Sequence, residues 1–355
     1  MYINRNTEQQ LLEYISIFPV IGLTGPRQSG KSTLLKNLLP DYRYISFDDV
    51  RMRQFYYDDP RGFLIEYNDK VIFDEVQKVP EIFESIKILI DENRSQYGRF
   101  ILTGSSQFTL IKKITESLAG RIGLLSLLPF QFNEIPQENR DASIWRGAYP
   151  ELVVRNYKGF EAWFSSYITT YIERDVRDLL QVGDLRDFQR FIELLAANCA
   201  QVINMSSLAR DLGVTVQTIK RWLSVLEASY IIFLLPPYFN NVGKRLIKSP
   251  KLYFWDTGLV SFITGVSTTK LFEKGPMAGA LFENFVISDI YKNIKHNTQN
   301  AELYFLRTSH GQEIDLIIDH KTHLELIEVK LSATAAPKMS SVIKEFSESK
   351  DKKYV

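Results

Sequence analysis

Along the first third of the chain, short runs of β-branched and apolar residues alternate with stretches whose apolar positions recur every three to four residues. "PVIGLT", "YRYISF", "KVIF" and "RFILTG" follow the first pattern, and "TLLKNLL" and "FESIKILIDE" the second. This alternation predicts a mostly parallel sheet with helices on its faces. Ahead of it, "NRNTEQQLLEYI" predicts a short amphipathic helix. From "FEAWFSSYITTYIERDVRDLL" to "RFIELLAANCA" the period is helical, and "SSLARDLGVTVQTIKRWLSVLE" predicts two short helices broken at Gly213. Strand-like "SYIIFLLPPYF" and "PKLYFW" follow, then a helix in "GALFENFVISDIYKNI" and strands in "ELYFLR", "QEIDLII" and "LELIEV". The fold class expected is α/β: a parallel sheet, a helical segment, a helix-turn-helix and a closing α/β unit. With 355 residues the chain exceeds one core. The expected divisions are 1–135, 136–198, 199–245 and 246–355.

Between the first predicted strand and helix lies Gly25 to Ser32, "GPRQSGKS", which fits G-x-x-x-x-G-K-[ST]. Gly25 and Gly30 open backbone conformations closed to residues with a β-carbon. The N–H groups of Pro26-Arg27-Gln28-Ser29 (Pro26 excepted), with those of Gly30 and the helix start at Lys31, Ser32 and Thr33, then form an anion site. Lys31 is placed to reach the outer phosphates of ATP, and Ser32 to hold Mg²⁺. A phosphate loop also needs an acid on a neighbouring strand, and "VIFDE" supplies Asp74, with Glu75 beside it to orient and deprotonate water. Asp48 and Asp49 in "YISFDD" are the competing pair. The choice falls on Asp74, because Glu75 has a catalytic use and a strand would then separate loop from acid. "FILTGSS" ends a strand in Thr103, Ser105 and Ser106, which are placed to sense the terminal phosphate or its attacking water. Arg121 in "LAGRI" is a candidate contact to a phosphate of its own subunit or a neighbour's, against the alternative of a solvated surface arginine.

The strings "LTGPRQSGKST", "SFDD", "VIFDEVQKVPEIFESIK", "RFILTGSS", "AGR" and "LPFQFNE" together resemble a prokaryotic family of AAA-type P-loop ATPases with a C-terminal region of unknown function. "YIERDV", "NMSSLARDLGV", "KSPKLYFWDTGL", "GALFENFV" and "EIDLII" extend the resemblance almost to the end. It implies a P-loop NTPase core with an additional strand and a catalytic glutamate, a winged helix, and a restriction-endonuclease-like end. It also implies ATP and ADP as ligands and is compatible with oligomers.

In the helix-turn-helix, Leu208, Ala209 and Leu212 face a core, Gly213 makes the turn and Thr215 caps the second helix. Ile219, Trp222, Leu223 and Leu226 form that helix's buried face, leaving Gln217, Thr218, Lys220 and Arg221 outward as candidate DNA contacts. Only two of these are basic, so groove reading and protein docking both stay open. Glu173, Arg174 and Asp175 read as surface ion pairing.

"QEIDLIIDHKTHLELIEVK" predicts two antiparallel strands about a turn centred on Lys321 and Thr322. That register sets Asp315 opposite Glu328 and Glu313 opposite Lys330, all on one face, with Ile314, Leu316, Ile327 and Val329 on the other. The order Glu283, Asp315, Glu328, Lys330 is similar to the catalytic pattern of restriction-like nucleases, where acids hold Mg²⁺ and the lysine positions water. A charged sheet face with structural ion pairs is the alternative. The final "DKKYV" reads as the opening of a further strand, so a missing edge strand is expected. His320 and His323 flank the turn. Zinc needs more ligands than the neighbouring sequence offers, so they read as exposed hairpin residues.

Composition changes this picture little. The 43 basic and 42 acidic side chains leave a formal charge of +1, which neither favours nor excludes nucleic acid. The lone Cys199 makes no internal disulfide, and the cytoplasm is the expected location. The N-terminus lacks a basic segment leading into an apolar one, and runs such as "YIIFLLPPYF" are too short to span a bilayer, so no membrane partner is expected. The expected activity is Mg²⁺-dependent ATP hydrolysis coupled to rearrangement of the winged-helix and nuclease-like parts. The rivals are a nucleotide-gated DNA- or protein-binding switch and a metal-dependent nuclease regulated by the ATPase.

Overall fold

The structure is a computed structural model that describes residues 2–104, 116–172, 185–238, 249–307, 312–334 and 341–348. Its N-terminal unit is a five-stranded parallel sheet built from β1 (Val20–Thr24), β2 (Arg43–Ser46), β3 (Val71–Asp74), β4 (Phe100–Thr103) and β5 (Ile122–Ser126). The spatial order is β2-β3-β4-β1-β5, so β4 lies between the strand that leads into the phosphate loop and the strand that ends in Asp74. This is a P-loop NTPase sheet with the intervening strand that the sequence required. Alternation fixes its two faces: Ile21, Leu23, Ile72 and Ile101 pack with Leu11 of α1 (Thr7–Ile17) and Leu34 and Leu35 of α2 (Lys31–Leu38). Val20, Phe73, Phe100 and Leu102 pack on the opposite face against Phe63, Ile82 and Ile86. With both faces covered, the central strands read as continuous apolar runs.

A second core runs from Phe130 to Leu281 and joins the helices Arg140–Arg146, Phe160–Tyr167 and Leu185–Ala197 to the pair Met205–Leu212 and Val216–Ala228. The turn within that pair follows its chemistry. Asn204 and Thr215 cap the two helices by accepting from Ser207 N (3.0 Å) and Thr218 N (3.1 Å), and Gly213 takes the left-handed conformation at φ 69°. Ile219, Trp222, Leu223 and Leu226 are buried, whereas Gln217, Lys220 and Arg221 are exposed and Thr218 is half-buried, as the periodicity required. The helix pair leads into an antiparallel hairpin of β6 (Ile232–Leu235) and β7 (Lys251–Phe254). That pairing crosses the division expected at 245–246.

The last unit sets β8 (Glu302–Arg307), β9 (Glu313–Asp319) and β10 (Leu324–Ile327) in one antiparallel sheet, with the helix Ala278–His296 before it. Leu324 pairs with Asp319 and Ile327 with Leu316, which is the register expected for a turn at Lys321 and Thr322. One expectation is modified: β9 is buried on both faces, because Ile317, which alternation places on the side of Asp315, is also fully buried. Among the described residues no helix is long and apolar enough to cross a membrane.

Candidate functional site

The phosphate loop leaves β1 at Thr24 and enters α2 at Lys31. Gly25 holds φ 139°, and a β-carbon there would stand 2.1 Å from the Leu127 carbonyl oxygen, so only glycine fits beside β5. Gly30 precedes the helix at φ 92°, with the helix amides behind it. Arg5, which the sequence reading did not single out, braces the loop from outside. Its guanidinium lies 4.6 Å from the Phe130 ring centroid and donates to Ser29 O (3.0 Å), Leu128 O (2.7 Å) and Glu134 Oε1 (3.2 Å).

Inside the loop, the Lys31 ammonium donates to the Gly25 and Pro26 carbonyls at 2.9 and 2.8 Å. It is buried, and burial pushes its pKa down to about 8 against the partial opposition of Glu75 and Asp74. Ser32 Oγ donates to Asp74 Oδ2 at 3.0 Å, and the Tyr44 hydroxyl donates to the same oxygen. Glu75 takes the left-handed conformation at φ 52°, and its own amide donates to Asp74 Oδ1 at 3.1 Å. Lys31, Ser32, Asp74 and Glu75 therefore line one cleft of about 500 Å³ with Arg27, Gln28, Gly30 and Thr33. Tyr2, Ile3, Phe130, Pro150 and Val154 supply its apolar wall. The donor set fits a polyphosphate with a divalent cation: the Lys31 ammonium lines the cleft for the phosphates, and Ser32 with Asp74 would hold the metal.

The rival acids are engaged elsewhere. Asp49 caps a helix by accepting from Arg51 N (2.9 Å), and Asp48 pairs with Lys78. Thr103, at the end of β4, has a buried Oγ1 with no hydrogen-bond partner among the described residues. Ser105 and Ser106 lie outside the described residues, as do Glu173, Arg174 and Asp175.

Arg121 requires a correction as a contact to its own subunit's phosphate. It precedes β5, and in a parallel sheet that is the edge opposite the phosphate loop. There it forms a two-pronged pair with Asp91, at 2.9 Å to each carboxylate oxygen. It does not line the cleft.

The C-terminal acids converge as expected, but around a residue that the sequence reading missed. Lys251, on β7 and only 2% exposed, donates to Glu283 Oε1 (2.8 Å) and pairs with Glu313 Oε1 (2.6 Å) and Asp315 Oδ1 (3.4 Å). Burial opposes its charge, yet the three carboxylates outweigh burial and raise its pKa. Tyr253 OH donates to the same Glu283 oxygen (2.7 Å). Lys330 sits at the rim, 2.6 Å from Glu328 Oε1 and 3.7 Å from Asp315 Oδ2, and Asp315 Oδ2 also accepts from Val329 N. Glu283, Asp315, Glu328 and Lys330 thus lie together, with Lys251 as an added cation that pairs with Glu283 and Asp315, and Glu328 Oε2 is buried with no hydrogen-bond partner among the described residues. The only signal in the sequence was a lysine at the head of an apolar strand.

Fold and cleft together define a P-loop protein of the AAA type, and family comparisons agree. Residues 18–136 match the family described as "AAA domain", and residues 137–270 and 278–355 match two domains of unknown function, DUF8612 and DUF4143. An uncharacterized protein of Mycobacterium tuberculosis is 30% identical over 334 residues, covering 93% of this chain and 74% of that protein. The chain belongs to the family of that protein. An uncharacterized protein of Methanocaldococcus jannaschii is 24% identical over 92% of the chain and 77% of its own length. Among solved structures, a Walker-type ATPase of Pyrococcus abyssi matches 74% of this chain and 96% of its own at 15% identity, with a TM-score of 0.46.

Proposed function

We propose that the protein is a Mg²⁺-dependent ATPase in which the phosphate loop drives rearrangement of a winged helix formed by the helix-turn-helix and the β6–β7 hairpin. The observation that carries this reading is the buried Lys31 ammonium inside the loop, beside the Ser32–Asp74 pair. Lys31 would exchange its bonds to the Gly25 and Pro26 carbonyls for phosphate oxygens, and the loop amides would take the rest of the charge. A bound Mg²⁺ supplies charge neutralisation on the outer phosphates. Glu75, presented by its left-handed backbone at the rim of the cleft, aligns and deprotonates the attacking water. Replacing Glu75→Gln should leave ATP affinity within a few-fold while lowering turnover by about 10²–10⁴-fold, the usual yield of a general base. An unchanged rate would remove Glu75 from the reaction.

A route from loop to winged helix supports the coupling. The Tyr230 hydroxyl lies 2.8 Å from Thr24 Oγ1 and 3.0 Å from Ser126 Oγ, and those two hydroxyls are 3.1 Å apart. Thr24 is the residue before Gly25, and Tyr230 closes the helix Val216–Ala228 in a left-handed turn at φ 56°. The same tie favours a second reading, a nucleotide-gated switch with slow hydrolysis that acts on DNA through Gln217, Thr218, Lys220 and Arg221. Reversing both charges, Lys220→Glu and Arg221→Glu, should weaken duplex binding and flatten its salt dependence. Equal affinity across salt concentrations would make the helix a protein-docking element. A regulated nuclease is the weakest rival, since Lys251 already pairs with Glu283 and Asp315, two of the acids that would hold its metal.

A further inference from the structure

The β9–β10 turn brings together three metal-ligating groups that neither the phosphate loop nor the Lys251 cluster uses. His320 Nε2 lies 3.3 Å from Glu325 Oε1 and His323 Nε2 lies 3.9 Å from the same oxygen, and one donor atom of each residue lies within 4.8 Å of the other two. The imidazoles stack with centroids 4.6 Å apart and planes 12° from parallel. The turn is fixed beneath them: His320 N donates to His323 O at 3.1 Å, Lys321 N donates to Asp319 Oδ1 at 2.8 Å, and Lys321 adopts φ 69°. The residues are half-buried rather than exposed as the sequence suggested. Glu325 was the ligand the sequence reading lacked.

We propose that this turn is a divalent transition-metal site, with His320 Nε2, His323 Nε2 and a Glu325 oxygen as ligands and water completing the coordination. Four features argue for it. Two imidazoles and a carboxylate are a donor set for Zn²⁺ and its neighbours Co²⁺ and Ni²⁺, not for Mg²⁺. His320 Nε2 is buried and makes no hydrogen bond among the described residues, and it faces the Glu325 carboxylate, its fellow ligand, at 3.3 Å. His323 Nδ1 lies 3.0 Å from Thr322 Oγ1, a contact that orients the ring and leaves Nε2 for a metal. Lys321, the cation of the turn, is drawn away by Glu302 at 2.8 Å. Tetrahedral bonds of ~2.0–2.1 Å set donors roughly 3.3 Å apart. The His320–Glu325 pair already has that separation at 3.3 Å, and the His323–Glu325 pair is within about 0.6 Å of it at 3.9 Å.

The test uses tag-free, chelator-dialysed, nucleotide-free full chain titrated with ZnCl₂ against a chromophoric chelator, and with CoCl₂ by visible absorption. The expected result is one Zn²⁺ per chain and a Co²⁺ d–d band, both lost in the double variant His320→Ala/His323→Ala and weakened at least tenfold in Glu325→Gln. MgCl₂ in excess should not compete. Equal uptake by the wild type and the double variant, or no Co²⁺ band at saturating metal, would overturn the proposal. Should the double variant melt earlier than the wild type in chelator, His320→Gln/His323→Gln takes its place with the same two outcomes. The ATP cleft plays no part in this readout, so its failure and that of the ATPase reading are separable.

Discussion

Lys31 and Lys251 are both buried, and their surroundings are opposite. Lys31 is held by carbonyls in a loop whose amides face a cleft, and burial drives its pKa down to about 8. Lys251 is held by three carboxylates that raise its pKa against the same penalty. A buried charge whose cost is unrelieved calls for a ligand of opposite sign, whereas one already matched by its neighbours ties structure together. On this criterion the phosphate loop is suited to an anion, whereas Lys251 is a structural tie that joins β7 to the helix Ala278–His296 and to β9, beside acids whose own burial still raises the pKa of Glu283 and Glu328. Motif spacing alone gave both regions the standing of candidate sites. The disposition of charge separates them.

The sharpest way to break this comparison is to remove the Lys251 ammonium. Lys251→Met leaves Glu283, Glu313 and Asp315 facing one another in a buried site, and should destabilise the C-terminal unit by about 3–5 kcal/mol. Denaturant unfolding followed by tryptophan fluorescence, to which Trp255 beside this strand contributes, measures it, and Glu283→Gln in the same chain should recover part of the loss. If added Mg²⁺ or Mn²⁺ restores the Lys251→Met variant but not the wild type, the acid cluster is a metal site held shut by its lysine. If Lys251→Met is as stable as the wild type, the structural-tie reading fails. A smaller effect is expected at the bridge between the regions. Tyr230→Phe removes the hydroxyl shared by Thr24 and Ser126 and should cost about 1–2 kcal/mol. Its ATP affinity should change less than its turnover, because the hydroxyl touches the base of the loop and not the cleft.

What the sequence made legible follows the range of the interactions. The phosphate loop, the caps at Asn204 and Thr215, and the β9–β10 register are written within stretches of a few residues, where spacing and turn chemistry decide the outcome. Asp74 was separable from Asp48 and Asp49 because strand order sets an acid opposite the loop, and its contact with Ser32 follows that order. Arg121 was open to a misplaced role because adjacency to a glycine says nothing about which edge of a parallel sheet a residue occupies. Its position before β5, not after it, was the available clue. Lys251 was missed because its partners lie 32 to 64 residues away and nothing near it signals a cluster. Arg5 likewise reaches across 129 residues to Glu134.

The central claim is tested most directly by calorimetric titration of Mg-ATP at pH 8, in two buffers of different ionisation enthalpy, on the wild type and on Lys31→Met. Burial pushes the pKa of the nucleotide-free lysine down to about 8, so it is partly neutral near that pH, and phosphate oxygens raise its affinity for the proton. Binding should therefore take up a fraction of a proton and weaken by up to about tenfold per unit as pH rises further. Lys31→Met should lose both the uptake and most of the affinity. Tight wild-type binding with no proton exchange and an equally tight Lys31→Met, or no binding at saturating nucleotide, would contradict the account.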